Sequence, residues 1–153
     1  SERRRGTHAK LSLLTADVQL SGARDAAAVL EAVRQHSYGE GQWLKVAGGA
    51  KANLLEDALR ARPGRPGEVA LELGVFVGYT TVRIGQRAAG TAGRAGLPLD
   101  GLPLVVGLEV EPVHVCVARW LIDTAQLSGS VEVWAGIAHD LLLRVGDEFG
   151  VRA

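Results

Sequence analysis

Methionine is missing from all 153 residues, so Ser1 is not an initiator, and the chain is expected to be processed or a piece of something longer. A single cysteine, Cys116, rules out an internal disulfide and fits a reducing compartment, so a cytoplasmic location is expected. Lysine plus arginine balance aspartate plus glutamate at 17 each. That balance removes any global electrostatic reason to expect nucleic acid or an acidic membrane as partner. No apolar run reaches the ~18 residues of a membrane span, and no signal peptide is visible. Charged residues are only 22% and hydrophobic ones 47%, which argues against disorder and for one domain with a real core.

What the chain does contain is alternation. The first ten residues read as a solvated arm behind Arg3, Arg4 and Arg5. Residues 11–20 are moderately helical and Ser21-Gly22 breaks them, so 1–22 is expected to be an arm and a weak helix. A stronger helix spans 24–36, with Asp25 in its first turn and a stripe of Ala26, Val29, Leu30 and Val33. A glycine-rich loop around Trp43 leads to a helix over 50–61, which completes a helical cap over 23–61. Two Pro-Gly pairs in 62–68 then close this part. Strand, helix, strand, helix, strand, helix follow over 69–153. The strands are 69–73, 104–110 and 131–135, and the helices 79–89, 112 onward and 138–149, with a glycine-rich surface insertion at 90–103. This order predicts an α/β fold of right-handed βαβ units with a parallel sheet. Val69–Leu73 is apolar but for Glu72, the pattern of a strand covered on both faces. In a doubly wound sheet the first strand lies centrally, so later strands are expected to pair on its other side. Residues 1–153 therefore read as the front part of a larger domain, with an open apolar edge along strand one.

Three acids sit where such sheets bind ligands. Glu72 ends strand one beside a turn with Gly74 and Gly78, Glu109 ends strand two, and Asp140 follows strand three after Gly136. The carboxyl ends of parallel strands open on one side, so these turns are expected to border one crevice. Glu109 can accept hydrogen bonds from two vicinal ribose hydroxyls, whereas Asp140, in a first helical turn, can equally complement the helix dipole. Glu72 has the plain alternative of a helix-capping acid. The G-x-x-x-G spacing of Gly74 and Gly78 meets neither the dinucleotide fingerprint nor the P-loop. A phosphate-free adenosine ligand fits better, and a positively charged one suits Glu72. Trp43 reads equally as a packing plug or a substrate wall. Trp120, Trp134 and Cys116 read as core, with Cys116 on the stripe of Val113, Cys116, Val117, Trp120, Leu121 and Thr124. His8, His36, His114 and His139 show no ligand spacing, so no metal site is expected within the chain.

Four collinear segments resemble the catechol O-methyltransferase family. They are the stretch over 26–51 with its tryptophan loop, LELGVFVGYTTVRI at 71–84, LEVEP at 108–112 and WAGIAHDLL at 134–142. The resemblance covers roughly residues 26–153 apart from the insertion. It implies a Rossmann-like class I methyltransferase fold, truncated after the third strand and its helix, and an S-adenosyl-L-methionine donor. Glu72, Gly74, Gly78, Phe76 and Thr80 would then line the methionine part, with Val46 and Ala47 covering its amino-acid end. Glu109 would take the ribose hydroxyls, and Val110 would pack on the adenine. Beyond Gly136, Ala138 and His139 stand where the family has serine and glutamine at the adenine edge. Trp43 would wall a small catechol-like acceptor. Lys45, Gly49 and Ala52 stand where the family has methionine, aspartate and glycine. The Mg2+ ligands and the general-base lysine are expected past Ala153, so no catalytic or metal residue is expected within the chain. Two other classes stay open: a nicotinamide-dependent oxidoreductase, and a truncated, non-catalytic interaction domain.

Overall fold

A computed structural model describes residues 2–39, 43–46, 48–62, 68–94 and 104–150. Its elements run α1 Glu2–Leu20, α2 Ala26–Tyr38, α3 Ala50–Ala61, β1 Ala70–Leu73, α4 Tyr79–Arg94, β2 Val105–Glu109, α5 Pro112–Thr124, β3 Val131–Ala135 and α6 Ala138–Phe149. The three strands form one parallel sheet in the order β1-β2-β3. Helices lie on both faces, a Rossmann-like α/β architecture.

The pairing register sorts the residues onto the two faces. Glu72 lies opposite Gly107, and Gly107 opposite Val133. Because side chains alternate along a strand, Glu72, Gly107, Glu109 and Val133 share one face. That face belongs to the main core, where Val105, Val131 and Val133 meet Val29 and Val33 of α2, Val82 of α4 and Leu121 of α5. The other face carries Val106, Leu108 and Trp134 under Val145 of α6. Gly107 is the reason the first face packs tightly: a Cβ there would lie 2.4 Å from Val75 Cγ2.

Helix ends follow local chemistry. Asp25 caps α2 by accepting the Ala28 N–H at 2.9 Å. Helix α5 starts on Pro112, whose missing N–H costs nothing there. It ends in a Schellman motif, with Gln126 at φ 58° and the Leu127 N–H donating to Ile122 O at 3.0 Å.

Several expectations are corrected. Residues 2–10 are not an arm but the first half of α1, because Leu11, Leu14 and Val18 anchor the helix in the core and it propagates outward from there. Helix α4 runs past Gly90 to Arg94, since Ala92 is buried and packing outweighs glycine's low propensity. Residues 95–103 of the expected insertion, and 63–67 of the Pro-Gly stretch, lie outside the described residues. Helix α5 buries Val115, Val117, Ala118, Leu121 and Ile122, so Cys116 is exposed rather than core. Two apolar stripes compete on this helix, and small Ala118, which lets Gly78 approach, selects the other one. Trp134 is buried as expected, but Trp120 is only half-buried. Strand β1 is not covered on both faces: Leu71 and Leu73 are 41% and 58% exposed. The strand is an edge, as the short sheet requires, and its second face extends beyond the cover of α6.

Candidate functional site

The glycine turn after β1 is built by its contacts with β2 and α5. Gly74 (φ 82°) continues the ladder by donating its N–H to Leu108 O at 2.9 Å. Val75 then drops onto Gly107, and Gly78 (φ 89°) sits where a Cβ would be 3.0 Å from Ala118 Cβ. Between them Phe76 adopts φ 54°, a conformation that costs a bulky residue on the order of 1–3 kcal/mol. Glu109 offsets this by accepting the Phe76 N–H at 2.7 Å through Oε2. Its other oxygen accepts the Glu111 N–H at 2.9 Å. A carboxylate has about four acceptor positions, so Glu109 keeps capacity for two more donors.

Glu109 is nearly buried, and its charge ends a buried strand. Such a charge needs partners, and here two backbone amides and the His114 ring, with Nδ1 3.8 Å from Oε1, supply them. Glu72 differs although it shares the face. It accepts a hydrogen bond from the Thr81 hydroxyl, and burial pushes its carboxyl from the ordinary 4.5 up to about 7 against that hydrogen bond. One strand tip thus holds a carboxyl fixed by two backbone amides, and its neighbour holds an acid poised near neutrality. A poised acid of this kind marks a functional-site candidate.

An edge-to-face chain of rings runs from the cap into this turn. His36 meets Trp43 at 6.2 Å, Trp43 meets Phe76 at 6.4 Å, and Phe76 meets His114 at 4.7 Å, with interplanar angles of 77°, 88° and 84°. Trp43 is half-buried on the main core, with Lys10 Nζ 5.8 Å from its ring. The tryptophan therefore packs and also borders the glycine turn. Val46 also packs against the main core, half-buried. Ala47 lies outside the described residues.

The remaining predicted positions sit at the sheet tips or beside them. Thr80 is half-buried in the first turn of α4. Val110 is 57% exposed just past β2. Gly136 (φ 151°) donates its N–H to Glu109 O at 2.9 Å, which ties the third tip to the second. Ala138 is half-buried against the smaller core. His139 and Asp140 are exposed and paired with each other at 3.1 Å. Asp140 acts in the first turn of α6, where it complements the dipole, and does not join Glu72 and Glu109 in one cluster. Among the described residues no group of three or more His, Cys, Asp or Glu could hold a metal ion. A cleft of about 580 Å³ lies elsewhere, along the outer edge of β3 between Arg119 and Arg144.

Three neighbours of the site carry no strong sequence signal. Thr81 holds Glu72 by donating its hydroxyl to the carboxyl. Ile137, 60% exposed, is a second apolar residue just past a strand tip, as Val110 is. His114 faces Glu109 from the first turn of α5. A first-turn position in the helix after a strand-ending acid was the available hint for His114.

No family model matches the chain. It is 28% identical over 128 residues to the catechol O-methyltransferase of Mus musculus, covering 83% of this chain and 42% of that protein. It is 29% identical over 140 residues to catechol O-methyltransferase B of Danio rerio, covering 91% and 47%. Among solved structures, the O-methyltransferase from Bacillus cereus in complex with SAH matches with a TM-score of 0.55 and 26% identity, over 78% of this chain and 48% of that one. The chain thus resembles catechol O-methyltransferases in sequence and an O-methyltransferase in fold, and spans less than half the length of these relatives.

Proposed function

We propose that this chain forms the donor-binding part of an S-adenosylmethionine-dependent O-methyltransferase that acts on a hydroxyl of a small, catechol-like acceptor. The observation that carries the proposal is the pair Glu72 and Glu109, on one sheet face at neighbouring strand tips, bordering a glycine turn. The similarity to O-methyltransferases supports it. When bound, the donor supplies an electrophilic methyl group on a sulfonium centre. The residues do the holding. Glu109, already fixed by two backbone amides, turns its remaining lone pairs to two ribose hydroxyls. Exposed Val110 and Ile137 offer apolar surface to a flat base, with Gly136, Ala138 and His139 along its edge. Glu72 meets the cationic end beside Gly74, Gly78 and Thr80. Its carboxyl is poised near pH 7, and a nearby cation draws it to the charged form.

Trp43 and Val46 would form the wall between donor and acceptor, because the tryptophan touches Phe76 of the turn. An acceptor hydroxyl must lose its proton as its oxygen attacks the methyl carbon and the carbon–sulfur bond breaks. Among the described residues no group of three or more His, Cys, Asp or Glu gathers to hold Mg2+. The family resemblance assigns the metal and the base to positions past Ala153.

Calorimetry with S-adenosylhomocysteine and with NAD tests the proposal on the intact protein. Binding of the former, weakened at least tenfold by Glu109→Ala, is expected. Binding of NAD alone would point to the oxidoreductase alternative, which the missing third glycine disfavours.

A further inference from the structure

His114 stands out as a titratable group beside the donor site to which neither the resemblance nor the comparisons assign a role. Its side chain is 17% exposed, its Nδ1 lies 3.8 Å from Glu109 Oε1, and its ring is edge-on to Phe76 at 4.7 Å. The same Glu109 carboxylate holds Phe76 in its strained conformation through the 2.7 Å bond to its N–H. His114 thus touches both the acid and the aromatic ring of the glycine turn, and it does so from a third element, α5. Among the described residues the charged partner of His114 is Glu109, and exposed Glu111, whose N–H is bound to Glu109, precedes it by three positions on the chain. His36 is farther along the ring chain, beyond Trp43 and Phe76, and is paired with Asp17 at 2.6 Å.

We propose that His114 is a positioning and charge-sensing residue of the donor site, which makes the site discriminate between a sulfonium donor and its neutral thioether product according to pH. The inference rests on the donor-binding function proposed above. Imidazole is the side chain that changes charge between about pH 5 and 8. A neutral ring leaves Glu109 as the dominant charge at its strand tip. A protonated ring places a positive charge 3.8 Å from that carboxylate, where it competes for the lone pairs needed by ribose and cancels the local field. Both ligands lose the ribose part of this interaction, but only the donor, one positive charge richer than the product, also feels the repulsion. Acidification therefore weakens the donor more than S-adenosylhomocysteine. Glu72 moves the profile in the same direction, since its carboxyl, raised to about 7, also loses its charge on acidification. The experiment must separate the two groups.

The test measures dissociation constants of S-adenosylmethionine and S-adenosylhomocysteine at pH 5.5 and 8.0 on the intact protein, on His114→Gln and His114→Phe, and on Glu72→Gln with and without His114→Gln. Phenylalanine keeps the ring edge against Phe76 while removing the charge, and glutamine keeps a polar partner for Glu109. The donor-to-product ratio of dissociation constants is expected to rise about three- to ten-fold more between pH 8.0 and 5.5 in the native protein than in either His114 variant, from screened Coulomb repulsion. The double variant is expected to be nearly flat. A ratio that changes with pH equally in native protein and both His114 variants overturns the inference and leaves the donor site intact. Failure of both ligands to bind the native protein at either pH overturns the proposed function and this inference with it.

Discussion

Replacing Glu72 with glutamine probes the site without any ligand. Burial raises this carboxyl from the ordinary 4.5 to about 7, although the Thr81 hydroxyl that donates to it works the other way. A tenfold change in a proton equilibrium corresponds to about 1.4 kcal/mol, so ionising Glu72 in the folded protein costs on the order of 3 kcal/mol relative to the unfolded chain. The sign follows from a folded-state value above the unfolded one. The cost is fully present above about pH 7, shrinks as the pH falls, and is gone below 4.5. This one group therefore makes the protein more stable on mild acidification, opposite to a salt-bridged carboxylate. Glutamine matches the shape, never ionises, and keeps an oxygen to accept the Thr81 hydroxyl. Urea unfolding of the ligand-free intact protein should show the variant more stable by about 2–3 kcal/mol at pH 8, with the difference vanishing near pH 4.5. Equal stability at pH 8, or an unchanged difference at both pH values, refutes the account of Glu72 as a desolvated acid.

Other expectations concern the scaffold. Gly107→Val pushes a side chain into Val75, where even a Cβ would sit 2.4 Å from Cγ2. It should cost about 1–3 kcal/mol and shift the glycine turn enough to weaken S-adenosylhomocysteine binding in calorimetry. Asp25→Ala removes the 2.9 Å cap of α2 and should lower stability by about 1 kcal/mol, measured by denaturant midpoint, while leaving ligand affinity unchanged. Trp43→Ala should raise the KM for a catechol acceptor and leave the affinity for S-adenosylhomocysteine within about threefold, because Trp43 meets Phe76 edge-on at 6.4 Å and does not bond to either carboxylate. A large loss of S-adenosylhomocysteine binding in that variant would reassign the tryptophan to the donor side.

Much of the fold is legible in the chain because its signals are local. Glycines 74 and 78 lie in the turn expected after strand one, both at positive φ. The stripe of Ala26, Val29, Leu30 and Val33 is the face that α2 buries. The open edge at β1 follows from counting strands. Where two local patterns compete, the text of the sequence has no arbiter. Helix α5 carries two apolar stripes, and the close approach of Gly78 to Ala118 chose between them, leaving Cys116 outside.

From the sequence alone come the alternation of strands and helices, the turn glycines and the two acids at the strand tips, since periodicity and turn chemistry act over a few residues. Only the tertiary structure decided how those acids behave. Glu109 is held by the N–H of Phe76, 33 residues earlier in the chain, while half-buried Glu72 is held by the Thr81 hydroxyl and its carboxyl is pushed up to about 7 by burial. Desolvation and the choice of hydrogen-bond partner depend on segments that meet only after folding, which is why two glutamates of similar sequence context end with different surroundings.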